Sequence, residues 1–226
     1  KTLSKMTLEL DHIFIAVAPN APEAELFRDF GLIEGTPNQH LGQGTANRRF
    51  FFENAFVELL YLTDAAEAQS EVMRETHLYE RLTQDTPSIS PFGVCFRYQQ
   101  GVEKQTPFPC WDYRPTYLPS HLSITMALDN PLTEPLWFVL PFGIAPALAA
   151  TDKLQPLQHE KGFRQLTKVQ ITQPSALLSI AATQANTLDS FHIKKGKEQL
   201  VELSFDHEQA GLDDDFRPHL PLVMHW

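Results

Sequence analysis

The run from Leu10 to Val17, LDHIFIAV, constrains the fold most. It is β-branched and aromatic and is bounded by Pro19-Asn20, so it reads as a strand buried on both faces. Pro22 to Phe30 follows. Glu23 and Glu25 fall in its first turn, Leu26, Phe27 and Phe30 recur at helical spacing, and Gly31 can cap its end. That pattern predicts a short amphipathic helix. A polar, turn-rich stretch runs from Gly35 to Asn47. Arg49 to Asn54 and Ala55 to Leu62 then read as strands joined by a hairpin at Glu53-Asn54. Residues 9–62 are thus a strand, a helix and two further strands, with room for a third in the polar stretch.

The remaining segments differ in texture. Residues 63–90 are polar, Ala/Glu-rich and mostly Pro-free, and read as a helical excursion. Residues 91–150 are strand-rich without a clear helix, with strands expected at Phe92–Tyr98, Tyr113–Leu118, Leu122–Leu128 and Leu136–Leu140. Residues 165–206 return to the opening pattern: a strand at Leu166–Thr172, a Pro-started helix at Pro174–Ala185, and strands at Leu188–Ile193 and Gln199–Phe205 with a turn at Lys195-Gly196. Residues 207–226 are acidic, then Pro-rich, and are expected to wrap the surface. LDHIFIAV compares with LTKVQITQ, and AFVELLYL with QLVELSFD, in the same order. This suggests an internal repeat, here βαββ-like.

Composition narrows the classes. With 226 residues, 42% hydrophobic and 20% charged, the chain fits one or two soluble globular domains and excludes disorder. A formal net charge of −10 repels phosphates and anionic lipid, so neither nucleic acid nor membrane is expected as a partner. The basic run Lys194-Lys195-Gly196-Lys197 reads as a turn. Cys95 and Cys110 form no CxxC motif and are expected to be free thiols in a reducing, cytoplasmic setting. The opening KTLSKMTLEL has charge and no apolar stretch behind it. It is therefore not expected to be a signal peptide, and Met6 is a candidate start with the first five residues an extension. The uncharged stretch Pro135–Thr151 is short for a membrane span and is interrupted by Pro141, Gly143 and Pro146. It reads as a buried strand and a turn. No GxSxG, P-loop, HExxH or GxGxxG motif occurs.

Three short motifs carry a resemblance. Leu10-Asp11-His12 opens the first strand, His40-Leu41-Gly42-Gln43-Gly44-Thr45-Ala46-Asn47 forms a loop, and Val57-Glu58-Leu59-Leu60 closes the module. With the later Pro135–Phe142 segment, they resemble the glyoxalase-like branch of the vicinal oxygen chelate superfamily, the glyoxalase/bleomycin-resistance/dioxygenase fold. The resemblance implies an α+β fold of repeated βαβββ modules forming a curved mixed sheet around a cleft. It also implies a divalent metal held by His and Glu on the first and last strands of each module. Such an ion chelates vicinal oxygens and stabilises an enolate or binds dioxygen.

On this footing His12 and Glu58 are the candidate catalytic residues and metal ligands. His40, Gly44, Thr45, Asn47 and Arg49 are candidate ligand-binding residues, since Gly42 and Gly44 allow close backbone approach while Thr45 and Asn47 offer polar groups. Structural alternatives stay open for each. His12, with Leu10 and Phe14 as face-mates, can be a hydrogen-bonded core residue. Glu58 can face solvent, because an unpaired charge in apolar core is too costly. The loop can cap its own hairpin. Arg48 and Arg49 point to opposite faces of a strand, so one can enter the cleft, and Trp111, Tyr113 and Trp137 are candidate cavity walls.

A metal site meets an obstacle. In the C-terminal repeat Lys168 takes the place of His12 while Glu202 keeps that of Glu58. In the middle segment FGVCFRY has no His and LWFVL no Glu. Either alignment leaves the ligand set incomplete unless His40, His121 or water joins, so both a divalent ion and no cofactor stay open. The leading expectation is a glyoxalase-like protein binding a small polar organic ligand, with lyase, isomerase or dioxygenase chemistry if it is an enzyme. The alternative is a non-catalytic binding or sequestering protein of the same fold, or a dimerisation module. A homodimer is a further open expectation.

Overall fold

The computed structural model describes residues 5–226. Apart from Lys5, the extension expected before Met6 lies outside them. The opening run forms β1 (Leu8–Ala16), and the amphipathic pattern after it forms α1 (Ala24–Phe30), which ends at Gly31 in the left-handed conformation. β2 (Asn38–His40), β3 (Thr45–Phe51) and β4 (Phe56–Leu62) complete the first module. Three short helices follow, α2 (Ala65–Ala68), α3 (Glu71–Arg74) and α4 (Leu78–Thr83). The middle segment gives β5 (Phe92–Tyr98), β6 (Cys110–Tyr113), β7 (Ile124–Ala127) and β8 (Leu136–Val139). The last part gives β9 (Leu166–Gln173), α5 (Ile180–Ala185), β10 (Phe191–Lys195), β11 (Leu200–Phe205), β12 (Asp213–Asp215) and β13 (Leu222–His225).

The protein is α+β, with a large curled mixed sheet and a second, smaller sheet. The 8-stranded sheet has the order β2-β3-β4-β1-β5-β8-β7-β6. Reading outward from the antiparallel centre β1/β5, both halves repeat one pattern. β1 runs parallel to β4 and β5 parallel to β8. β3 and β7 are antiparallel to those partners, and β2 and β6 form the edges. The middle segment is therefore the second half of this sheet. It lacks only a helix between its first two strands.

The C-terminal repeat does not hold as a repeat of place. β9 is followed by α5 and a parallel strand β10, but it lies in the second, 5-stranded sheet, ordered β10-β9-β11-β13-β12. The Val201-Glu202-Leu203 of β11 pairs antiparallel with β9, whereas Val57-Glu58-Leu59 of β4 pairs parallel with β1. Similar strings reflect a shared demand for half-buried strands, not a shared position. Lys194–Lys197 is also not a hairpin turn. It crosses the end of β9 to join strands on its two sides, and Gly196 is needed because a Cβ there would meet Thr172 Cγ2 at 2.4 Å. Nor does the tail only wrap the surface. It supplies β12 and β13, and Leu220, Leu222 and Met224 enter the core.

The convex face of the large sheet carries the main core. Ile13, Ile15, Val57, Leu59, Phe96 and Trp137 meet α1, α5 and the inner face of the second sheet, including Val169, Ile171, Val201 and Leu203. Each such side chain stabilises the fold by about 1.5–3 kcal/mol on burial. Trp137 therefore does not line the cleft. It packs near Phe96 and Phe191, and its indole N–H donates to Glu134. The same buried carboxylate accepts from the backbone N–H of Ser179 at the start of α5, tying the two layers together. No helix among the described residues is long and apolar enough to cross a membrane.

Candidate functional site

The curl of the large sheet encloses a cavity of about 440 Å³ on its concave face. Its two edges meet across the opening. Tyr113 of β6 donates to Gln43 Oε1 at 2.8 Å, and Thr116 Oγ1 donates to the Leu41 carbonyl at 3.1 Å. The two halves furnish different walls. Phe14 and Leu60 join Ile124, Met126, Leu136 and Phe138 in an apolar wall, while His12, Asn38, His40, Asn47, Arg49 and Glu58 make a polar one from the first module alone. Tyr117 lies against His40 with ring centroids 5.0 Å apart, and Leu118, Leu140 and Phe142 complete the lining.

A bulge in β1 sets the polar wall. The register passes from Leu10↔Phe96 to His12↔Cys95, leaving Asp11 unpaired. One extra residue turns consecutive side chains to the same side. Leu10 is therefore not a face-mate of His12. It packs on the convex core, while Asp11 and His12 share the concave side. Asp11 Oδ2 is 2.7 Å from His12 Nδ1, and His12 Nε2 is 3.3 Å from Glu58 Oε2. Glu58 is 7% exposed and His12 5%, so this ion pair is neither solvated surface nor apolar core. Asp11 in turn meets Arg97 Nη1 at 3.4 Å, and Arg97 donates to Glu9 and to the Asn54 carbonyl.

The charges are mutually sustaining. Burial alone depresses the His12 pKa, but Cys95, Asp11 and Glu58 together raise it well above the ordinary 6.5. Burial pushes the Cys95 thiol up to about 11 against the opposing pull of the imidazolium. The thiol is then protonated at neutral pH, and the two carboxylates are what hold the charge. For Glu58, burial raises the pKa, but the His12 hydrogen bond and charge, then His40 and Asn47, carry it well below the usual carboxylate range. His12 stacks on Phe56 with ring centroids 4.3 Å apart, which fixes the ring plane. Burial lowers the His40 pKa, leaving it neutral beside Thr45.

The structure brings His12, Glu58, His40, Asn47 and Arg49 to one cavity. Gly44 and Thr45 are not brought there. The Gly44 N–H donates to Glu67, and a Cβ at this positive-φ glycine would meet the Asp64 carbonyl at 2.3 Å. The glycine lets the loop lie against the start of α2. Thr45 is fully buried, its hydroxyl accepting from Gln43 Nε2 and facing His40 Nδ1. The loop motif thus supports the hairpin that carries His40 and Asn47. Arg48 points away and pairs with Glu34 and Glu25. His121 is exposed and outside the cavity, and Lys168 and Glu202 lie in the second sheet, Glu202 pairing with His225. Tyr113 lines the cavity and Trp111 does not. Asp11, Arg97 and Tyr117 are site residues that sequence reasoning missed. Adjacent polar residues, Asp11-His12, inside a strand buried on both faces were the available signal for a bulge.

The donor set does not fit the divalent ion that the resemblance implies. Both His12 nitrogens already face carboxylates, Nδ1 at 2.7 Å from Asp11 and Nε2 at 3.3 Å from Glu58. The second half contributes Cys95 as a protonated thiol, and Leu136 and Phe138 where further ligands would stand. Asp11, His12 and Cys95 cluster within 4.8 Å, but Asp11 is already paired with Arg97 and His12. The Arg49 guanidinium adds positive charge to the same wall.

No protein-family model matches the chain, and no curated protein does. A crystal structure of a hypothetical protein from Staphylococcus aureus is similar over 97% of this chain and 99% of that one, at 12% identity and a TM-score of 0.52. That likeness concerns the fold alone.

Proposed function

We propose that this is a glyoxalase-like protein of the vicinal oxygen chelate type that takes a small organic molecule into the concave cavity and addresses it with the His12–Glu58 pair, without a metal. One observation carries the reading: the buried His12–Glu58 pair lines a cavity whose opposite wall is apolar. A cavity of this size with few convergent polar groups suits a small ligand. The paired halves around the cavity support the superfamily assignment. The Asp11–His12–Glu58 row favours proton transfer as the chemistry if the protein turns its ligand over, because Glu58 borders the cavity and His12 links it to Asp11 in one hydrogen-bonded row. That points to isomerase or lyase chemistry rather than dioxygen activation.

The test is a fragment screen read by protein NMR on the native chain and on Met126→Trp, which fills the apolar wall. Shifts confined to cavity residues and lost in Met126→Trp are expected. Fragments that bind elsewhere, or equally well to the filled variant, would overturn the reading.

A further inference from the structure

We infer that Tyr117 orients the cavity's ligand, its phenol O–H donating to an uncharged carbonyl oxygen on an otherwise apolar molecule. This rests on the reading that the cavity takes a small organic molecule, and names the group by which that molecule is held.

The loop that carries Tyr117 is built for a close approach. After β6 the chain turns at residues 115–118, where the Leu118 N–H donates to the Pro115 carbonyl at 3.2 Å. Thr116 lies on Gly42 of the opposite sheet edge, and a Cβ at Gly42 would stand 2.1 Å from Thr116 Oγ1. A glycine at this position, with its positive φ of 87°, lets the two edges meet. Tyr117 is thereby carried onto His40, the ring centroids 5.0 Å apart. The ring is packed and the hydroxyl is left over. Among the described residues it has no hydrogen-bond partner, yet its oxygen is not among the buried polar atoms sealed from any small molecule, and Tyr117 lines the cavity. Burial, then Tyr113, Glu58 and Cys95, raise the phenol pKa, as expected of a hydroxyl turned to the inner end of the cavity. A phenol in such a place ordinarily finds a partner, and here the space before it is the cavity.

The rest of the second half offers a ligand nothing polar. Tyr113 spends its hydroxyl on Gln43 Oε1 at 2.8 Å, and Met126, Leu136, Phe138 and their neighbours are apolar. A molecule that spans the two walls therefore meets one open polar group on this side, and that group is a protonated hydroxyl. The charge of its partner follows from the facing wall. Arg49 and Glu58 stand opposite each other in the β3/β4 register, and both line the cavity. An anion there meets Glu58 and a cation meets Arg49, so an uncharged oxygen is best received. A carbonyl accepts without donating and so matches an O–H. A polyol would strand its remaining hydroxyls against the apolar wall.

The test uses three near-isosteric probes that differ at one group: the ketone 4-phenylbutan-2-one, the alkene 2-methyl-4-phenylbut-1-ene and the carboxylate 3-phenylpropanoate. Each is titrated at pH 7 into the native chain, Tyr117→Phe and Met126→Trp, with binding followed by protein NMR. Tyr117→Phe keeps the ring against His40 and removes the hydroxyl alone. The ratio of ketone to alkene affinity should fall about three- to tenfold in Tyr117→Phe, the worth of one neutral hydrogen bond, with the alkene unchanged. The native chain should bind the ketone more tightly than the carboxylate. The Tyr117 Cζ resonance of the native chain should move further with the ketone than with the alkene, a measurement independent of how the variant folds. A ratio that is the same in Tyr117→Phe, or a carboxylate bound more tightly than the ketone, would overturn this inference while leaving the cavity reading intact. Binding of none of the probes, or equal binding to Met126→Trp, would overturn both.

Discussion

Glu58 and His12 face each other at 3.3 Å across two parallel strands, and Asp11 holds the far nitrogen of the same ring at 2.7 Å. A single imidazolium is clamped between two buried carboxylates, and only Glu58 borders the cavity. Glu58→Gln keeps the shape and removes one anion. The His12 midpoint, followed by imidazole NMR, should fall by at least about one unit, equivalent to about 1.4 kcal/mol. The global stability loss should be about 1–3 kcal/mol by denaturant titration, because a charged hydrogen-bonding partner is lost inside the protein. An unshifted His12 midpoint would mean that Asp11 alone sets it.

The same pair fixes a pH window. The His12 pKa is raised in the folded chain above its ordinary 6.5, so its contribution is complete below about pH 6.5 and is lost as pH climbs through the raised value. The Glu58 pKa is lowered below its ordinary 4.5, so its contribution is complete above about pH 4.5 and is lost as pH falls toward the lowered value. Between these limits both act. The difference in melting temperature between the native chain and His12→Gln should be largest near pH 5–6 and shrink in alkali. A difference that grows with pH would reverse the assigned sign.

Gly93 makes room for one wall of the cavity. A Cβ there would stand 1.9 Å from Phe14 Cε2, with no flexible atom to yield. Gly93→Ala should push the Phe14 ring toward the cavity, costing about 1–3 kcal/mol through overpacking. Cavity ligands should weaken, with changes in the aromatic NMR signals of Phe14 and its neighbour Phe138. Unchanged stability would show that β5 can shift to admit the methyl.

Much of this was legible in the residues, and the rest was hidden for physical reasons. LDHIFIAV and AFVELLYL announce strands because their apolar patterns permit little else, and the curled mixed sheet follows from the module they frame. His12 and Glu58 stood out as polar residues in buried strands. Their partners did not. Asp11 reaches His12 only through a bulge, and Arg97 reaches Asp11 only because β5 pairs with β1 across a long sequence separation. The Gly44-Thr45 turn looked like a ligand loop because glycine freedom serves a close ligand and a close backbone equally well. The C-terminal strings matched β1 and β4 in character, and character does not carry parallel or antiparallel pairing.

The last prediction concerns metal. A structural or catalytic zinc site takes three or four protein ligands with deprotonated donor atoms. Here both His12 nitrogens face carboxylates, burial holds the Cys95 thiol up to about 11, and Arg49 shares the wall. An ion would have to part His12 from Glu58 and would find His40 as the one further nitrogen donor on the wall, with Leu136 and Phe138 opposite. Elemental analysis of the purified native chain should give far less than one equivalent of zinc, manganese, nickel or iron. Melting temperatures with and without a chelator should agree, and so should those of Glu58→Gln. One equivalent of a metal, removed by the chelator with a drop in melting temperature that Glu58→Gln reproduces, would restore the chelate mechanism and make His12 neutral in the loaded protein.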